Sequence, residues 1–497
     1  MQLRSSADDP LKRALFPLDL PSYLQWTLSS LVRPSSAYPP SPPPVILVSG
    51  PKASGKSTIS RYLTNTYLTS SPADQPKTTF WSDLDPGQPE FSAPGQVSLV
   101  QLSAPVIGPP FTHSLSTATT PQQRLIRSHT LAAITPKEDT DHFLSCAIDL
   151  ISHYSRQRYA FPTAPLIINC SGWVLGSAVT VLKDLIKHLH VTNTILMAPM
   201  APDVVSEIET LLPRGRVLVI PTRDSKPIQT RTNAEFRAMT TQSYFHSIAA
   251  PRPLPPQLPT DTTTVSTTAI PQIWDTRPLS HHTPHLVPFT SLFALASYGE
   301  PLDPVFATTV INGMVLAICI IEDDAAFSPL LASEDAVPET LITSSPEGLP
   351  VLLPSRDGIV RPLDPTHTRC LGLAIVRGVD VENRELQLLT PVPLEEILDA
   401  IVEGGVEDEG DECTEVEKGK GGQADEDRGA KSRVVLVRGK FDSPDWAFLE
   451  DVYAGVEGVQ GRERPYVAEK KGGTVGLGAN VWRVRHLPRK SGGAGGG

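Results

Sequence analysis

The chain has 497 residues, 40% of them hydrophobic, enough for about two to four folded domains. No apolar run reaches the roughly 18 residues that a membrane helix needs, and the opening Met1-Gln2-Leu3-Arg4-Ser5-Ser6 carries no secretory pattern, so a soluble, non-secreted protein without membrane contact is expected. Five widely separated cysteines without C-x-x-C spacing argue against a disulfide framework or a zinc site, and a net charge of −11 argues against a uniformly basic nucleic-acid binder.

Residues 1–44 read as a short N-terminal segment that ends in a stiff lead-in, with six prolines from Pro34 to Pro44. The apolar run Val45-Ile46-Leu47-Val48 then predicts a strand. It delivers the chain to Gly50-Pro51-Lys52-Ala53-Ser54-Gly55-Lys56-Ser57-Thr58, which completes G-x-x-x-x-G-K-[ST] where a helix begins. Loop amides and a helix N-terminus aimed at one place suit a polyanionic phosphate. On this pattern residues 50–58 hold ATP, with Lys56 at the β- and γ-phosphates and the Ser57 hydroxyl on Mg²⁺.

From here to residue 250 strands alternate with helices. Strands are expected at Val45–Val48, Thr79–Leu84, Val97–Leu102, Leu166–Asn169, Thr194–Met197 and Arg216–Ile220, and helices near Ser57–Thr69, Thr140–Gln157 and Gly176–Leu189. The expected fold class is therefore α/β, a P-loop NTPase-type, mainly parallel sheet with helices on both faces. At the tip of the second strand, Asp83 and Asp85 stand two residues apart. Carboxyl ends of parallel strands face the ligand crevice, so one acid can orient Mg²⁺ while the other takes a proton from an attacking hydroxyl. Asp85-Pro86-Gly87 by itself also spells an Asx-type turn.

Residues 251–290, rich in Pro, Thr and His, read as a linker. Its His281-His282-Thr283-Pro284-His285 cluster has no acidic or cysteine ligand beside it in sequence, so a solvated loop is the reading. Residues 291–490 carry the β-branched runs Ala307–Ile321, Leu371–Val376, Glu385–Leu389 and Val434–Val437 and predict a smaller β-rich C-terminal domain. Within it, residues 403–433 read as a disordered acidic insertion: eleven Asp/Glu against Lys418, Lys420 and Arg428 leave −8 of the total charge between Glu403 and Arg428. Residues 491–497 read as a flexible tail.

Three stretches together carry a resemblance: the P-loop with its Pro51-Lys52, the run Leu84-Asp85-Pro86-Gly87-Gln88-Pro89-Glu90-Phe91, and Asn169-Cys170-Ser171-Gly172-Trp173-Val174. They are similar to the polynucleotide 5′-hydroxyl-kinase family, and more narrowly to its nucleolar, pre-ribosomal RNA branch. The resemblance implies an ATP- and Mg²⁺-dependent kinase that phosphorylates the 5′-hydroxyl end of RNA in the nucleus and nucleolus, beside an endonuclease partner. It implies that Asp85 activates the hydroxyl, that Asp83 lies beside the metal, and that Gln88, Gly172 and Trp173 hold the terminal nucleotide, the last two in a segment called the clasp. Trp173 at a strand–helix junction also suits a core residue. Arg231 and Arg237 resemble the family's lid pair, whose charge would cover the transferring phosphoryl group. Arg124, Arg127 and Thr135-Pro136-Lys137 resemble a further RNA-facing element.

Two departures stand out. The family's clasp usually reads Thr-Pro-Gly-Trp where this chain has Cys170-Ser171-Gly172-Trp173, and the branch normally has a separate N-terminal domain, so a shortened form or an incomplete gene model is expected. The alternatives are a catalytically weak ATP-binding scaffold of an RNA-processing endonuclease complex, and another P-loop ATPase. A GTPase is disfavoured because Pro221-Thr222-Arg223-Asp224 does not supply an Asn-Lys-x-Asp guanine-reading motif.

Overall fold

The computed structural model describes residues 20–32, 42–70, 77–113, 122–213, 216–221, 232–248, 273–275, 277–331, 337–355, 358, 360–397, 433–444 and 447. Within these, α1 (Ser22–Val32), β1 (Val45–Ser49), α2 (Lys56–Thr69), β2 (Thr79–Leu84), β3 (Gln96–Leu102), β4 (Gln123–Thr130), α3 (Thr140–Gln157), β5 (Leu166–Cys170), α4 (Ala178–His188), β6 (Asn193–Met197), α5 (Pro202–Glu209) and β7 (Val217–Ile220) build the first layer set. Their seven-stranded sheet runs β4-β3-β2-β5-β1-β6-β7. The five strands from β2 to β7 along this order are parallel, and β3 and β4 add an antiparallel edge.

Both faces of that sheet are covered, which is why β1 is buried along its whole length and apolar from Val45 to Val48. Val45 and Leu47 point into a core with α3, α4 and α5, while Ile46 and Val48 point the other way, against α1 and α2. α3 shows how the sequence specifies this. Asp139 caps it by accepting the His142 N–H at 2.9 Å, and Phe143, Cys146, Ala147, Leu150, Ile151 and Tyr154 recur at helical spacing on its buried face.

After α6 (Asn233–Phe245) the chain forms a two-residue pairing of β8 (Ser247–Ile248) with β9 (Ile273–Trp274), then a second sheet. Its members are β10 (His285–Pro288), β11 (Ala294–Ser297), β12 (Val315–Ile321), β13 (Ile342–Ser344), β14 (Pro350–Leu352), β15 (Thr368–Asp380), β16 (Glu385–Leu389) and β17 (Val434–Arg438), in the order β10-β16-β15-β12-β17-β11-β14-β13. A β-rich C-terminal region is thus present.

Several expectations need adjusting. The run Ala307–Ile321 is split: α7 (Ala307–Ile311) precedes a turn in which Gly313 adopts φ 76°, and only then does β12 begin. The segment read as linker up to residue 290 enters the fold earlier, because Leu279 is buried and β10 pairs with β16. His282 Nε2 lies 3.5 Å from Asp275, an acidic neighbour supplied by the fold, yet no metal-binding group of three His, Cys, Asp or Glu occurs among the described residues. The acidic stretch up to residue 432 and the tail lie outside the described residues. No described helix is long and apolar enough to cross a membrane.

The two sheets are joined along β4 and β15. Gln96 Nε2 donates to Cys370 Sγ at 3.2 Å, and the Lys440 N–H donates to the Ala132 carbonyl at 2.6 Å. At the centre of the seam is Arg127. It is buried, donates to Asp149 Oδ2 at 3.1 Å and to both Glu322 carboxylate oxygens at 2.7 Å, and reaches the carbonyls of Pro365 and Thr368 at 3.2 and 2.8 Å. The Arg127 expected to face RNA is therefore a tie between the sheets.

Candidate active site

The carboxyl ends of β1, β2 and β5 converge, and each brings a functional loop. After β1 the P-loop turns sharply. A Cβ at Gly50 would sit 2.6 Å from Met197 Cβ and 2.9 Å from the Met197 carbonyl, so no larger residue fits against β6. Gly55 is the N-cap of α2 with φ 93°, and no side chain caps the helix amides. Those amides are a donor set for an anion. Lys56, the first residue of α2, is 6% exposed and its Nζ donates to the Pro51 carbonyl at 2.9 Å. Burial pulls its pKa down, while the charge of Asp85 works in the opposite direction.

After β2 the two carboxylates behave differently. Asp83 is fully buried and accepts the Asn169 Nδ2 at 3.2 Å, the Asp85 N–H at 3.3 Å and the Glu90 N–H. Burial pushes its pKa up to about 8, against the pull of the Glu90 and Asn169 donors. With three donors already on its oxygens, Asp83 braces the turn. Asp85 is half-buried at the turn and takes the Gly87 and Gln88 amides on Oδ1, at 3.1 and 3.3 Å. Burial raises its pKa and the Lys56 charge lowers it. The Asx turn and the catalytic reading describe one and the same carboxylate, whose Oδ1 shapes the loop through the Gly87 and Gln88 amides.

After β5 comes the clasp, packed directly on the P-loop. A Cβ at Gly172 would lie 2.6 Å from Lys52 Cγ and 3.0 Å from Lys52 Cα. Trp173 is half-buried, and Lys137 Nζ stands 5.5 Å from its ring centroid, a cation–π distance. Cys170, at the end of β5, is buried beside Lys56, Asp85 and Asp83, and burial first, then the two carboxylates, pushes its thiol up to about 12 against the pull of Lys56. It is a neutral thiol.

The structure thus brings together residues 50–58, Asp83, Asp85, Gly172 and Trp173, with Gln88 exposed on the Asp85 turn. It places Arg237 elsewhere in its bonding: Arg237 Nε is 2.6 Å from Asp442 Oδ2. α6, which carries it, is capped by Thr232 and Glu235 and anchored in the C-terminal core by Tyr244, whose hydroxyl accepts the Leu373 N–H at 2.8 Å. A lid role for Arg237 requires that this ion pair exchange. Arg231 lies outside the described residues. Asn169, Lys137 and Glu90 are additions. All three lie in stretches that the sequence marks, Glu90 and Asn169 in those that carry the resemblance and Lys137 in Thr135-Pro136-Lys137, but none is singled out there, because their partners come from distant parts of the chain.

Residues 50–247 match the family model described as mRNA cleavage and polyadenylation factor CLP1 P-loop. Over 530 aligned residues the chain is 33% identical to the polynucleotide 5′-hydroxyl-kinase GRC3 of Gibberella zeae, with 98% of this chain and 66% of that protein covered. The chain belongs to the polynucleotide 5′-hydroxyl-kinase family. The grc3 kinase of Aspergillus oryzae is 31% identical over 506 residues, covering 91% of this chain and 54% of that protein. The chain therefore spans between about half and two thirds of the length of these two family members. A solved Clp1p–Pcf11p complex is similar at a TM-score of 0.47 and 16% identity, covering 75% of each chain, a likeness too loose to transfer residue roles.

Proposed function

We propose that this chain transfers the γ-phosphoryl group of ATP to the 5′-hydroxyl of RNA. The observation that carries the reading is the convergence of Lys56, Asp85 and the Gly172-Trp173 segment on one crevice, with the clasp in van der Waals contact with the phosphate-binding loop. The uncapped amides of α2, the Gly50 turn and the buried Lys56 ammonium fit a polyphosphate. Mg²⁺ would be held by the Ser57 hydroxyl, with Asp83 beside it as the resemblance implies, and it would offset the negative charge of the phosphates.

In the reaction, Asp85 takes the proton of the 5′-hydroxyl, the freed oxygen forms its bond to the γ-phosphorus, and the bond to the β-phosphate oxygen breaks to release ADP. The raised pKa of Asp85 makes it a better base than an exposed carboxylate. Trp173 stacks on the terminal base through a π-face that every base offers, so the site tolerates sequence variation. Arg231 and Arg237 supply positive charge over the phosphoryl group once Arg237 leaves Asp442.

We assign the pre-ribosomal substrate, nuclear and nucleolar location, and endonuclease partner on the resemblance of Pro51-Lys52 and Gln88-Pro89-Glu90-Phe91 alone. The test of the kinase reading is incubation of the purified chain with γ-labelled ATP, Mg²⁺ and a 5′-hydroxyl RNA oligonucleotide, beside its 5′-phosphorylated counterpart and a Lys56→Ala control. Label should enter only the 5′-hydroxyl RNA and only with the native chain. ATP binding without transfer would favour the scaffold reading.

A further inference from the structure

Glu90 has no part in the phosphate-binding or proton-transfer roles above, yet it is heavily tied. Its side chain is 1% exposed. Arg61 of α2 grips it as a fork, Nε to Oε1 at 2.8 Å and Nη2 to Oε2 at 2.9 Å, and His113 Nε2 lies 2.8 Å from Oε1. The Glu90 N–H donates to Asp83 Oδ2, and Asp83 Oδ1 accepts the Asp85 N–H at 3.3 Å.

These bonds make Glu90 a junction of three elements. Arg61 lies on the helix that Lys56 opens. Asp83 and Asp85 lie on the turn that faces it. His113 closes the 3₁₀ turn Pro110–Thr112, whose Phe111 carbonyl accepts the Ser243 hydroxyl of α6, while Trp274 Nε1 donates to that same hydroxyl at 2.9 Å. Burying a carboxylate is costly unless its oxygens are well satisfied, and an apolar pair of similar volume would pack at least as well. What the forked, directional contacts add is a fixed register between the P-loop helix and the Asp85 turn. That register matters because a misplacement of about 1 Å can cost on the order of a hundredfold in rate.

We propose that Glu90 is a positioning residue for phosphoryl transfer, setting the Asp85 turn against the P-loop helix through Arg61 and Asp83. Its kinetic consequence rests on the kinase reading; its structural consequence does not. The experiment compares Glu90→Gln and Arg61→Lys with the native chain in three readouts: kcat and KM for ATP and RNA, the number of ATP sites per chain, and amide hydrogen exchange of peptides spanning residues 83–91. The second variant keeps the positive charge and removes the fork, so it carries the test if Glu90→Gln does not fold.

The expected result is a kcat lower by about tenfold or more, with KM for ATP within about threefold, ATP sites retained, and faster exchange confined to the 83–91 turn. An unchanged kcat, or a loss of kcat matched by an equal loss of ATP sites, would overturn the positioning role. If the native chain transfers no phosphate, the kinase reading and the kinetic half fall together. Exchange then decides the brace by itself: acceleration confined to the turn supports it, and unchanged protection overturns it.

Discussion

Arg127→Met removes the guanidinium at the seam between the two sheets while keeping most of the side-chain volume. The cost can be built from its partners. Breaking a buried ion pair by deleting one member costs about 3–5 kcal/mol. Two circumstances place Arg127 at the lower end. Asp149 keeps His129 Nε2 at 2.8 Å and has His153 at 3.6 Å, and Glu322, with 36% of its side chain exposed, keeps Arg369 at 3.3 Å. The carbonyls of Pro365 and Thr368 lose their donor as well, at about 1 kcal/mol each. A destabilisation of about 3–5 kcal/mol results, corresponding to a fall in Tm of about 10 °C for domains of this size. The assay is thermal unfolding of native, Arg127→Met and Arg127→Lys chains, with limited proteolysis to show whether the sheets separate. Arg127→Lys should fall between the other two, because it keeps the charge and loses the fork. A shift under about 2 °C for Arg127→Met would refute the tie and return Arg127 to the surface role that its sequence context suggests.

Asp85→Asn should lower kcat by about a hundredfold or more while leaving ATP binding within a fewfold, as read by turnover and by equilibrium nucleotide binding; loss of binding alone would make Asp85 a metal ligand and not a base. Gly172→Ala places a methyl 2.6 Å from Lys52 Cγ, so P-loop or clasp must shift at a cost of about 1–3 kcal/mol, and weaker ATP binding by calorimetry is expected. Asp83 gives a pH prediction. Its folded pKa of about 8 lies above its ordinary value, so its contribution is fully present at low pH and is lost as pH rises through about 8. Asp83→Asn should therefore flatten the decline in stability between about pH 4 and 8, measured as Tm against pH beside the native chain; an identical slope in both would refute the buried, proton-holding state.

The sequence was most readable where local pattern and tertiary role coincide. β1, the P-loop and α2 follow from an apolar run, a glycine turn and a helix start; β2 has the expected bounds because it is buried along its whole length, and α3 because one apolar face recurs at helical spacing behind the Asp139 cap. β4 was missed because its Arg124, Arg127 and His129 look like surface residues. The partners that satisfy Arg127 include Glu322, 195 residues away. No local periodicity announces such a pair. Arg237 of α6 resembles half of a lid pair in sequence, whereas Tyr244 and Phe245 on the same helix are buried in the C-terminal core. At the site, residue type identified Lys56 and the two acids. What separates brace from base is tertiary: Asn169 and the Glu90 amide reach Asp83 from distant parts of the chain, while the contacts on Asp85 Oδ1 come from the amides of its own turn.

The most direct test of the central claim is the chemical identity of the labelled product. RNA labelled by the native chain from γ-labelled ATP would be digested completely to nucleotides and the radioactive species resolved. The account predicts that label resides in the 5′-terminal nucleotide as a phosphomonoester that phosphatase removes. Label found only as free phosphate, or anywhere else in the RNA, would contradict it.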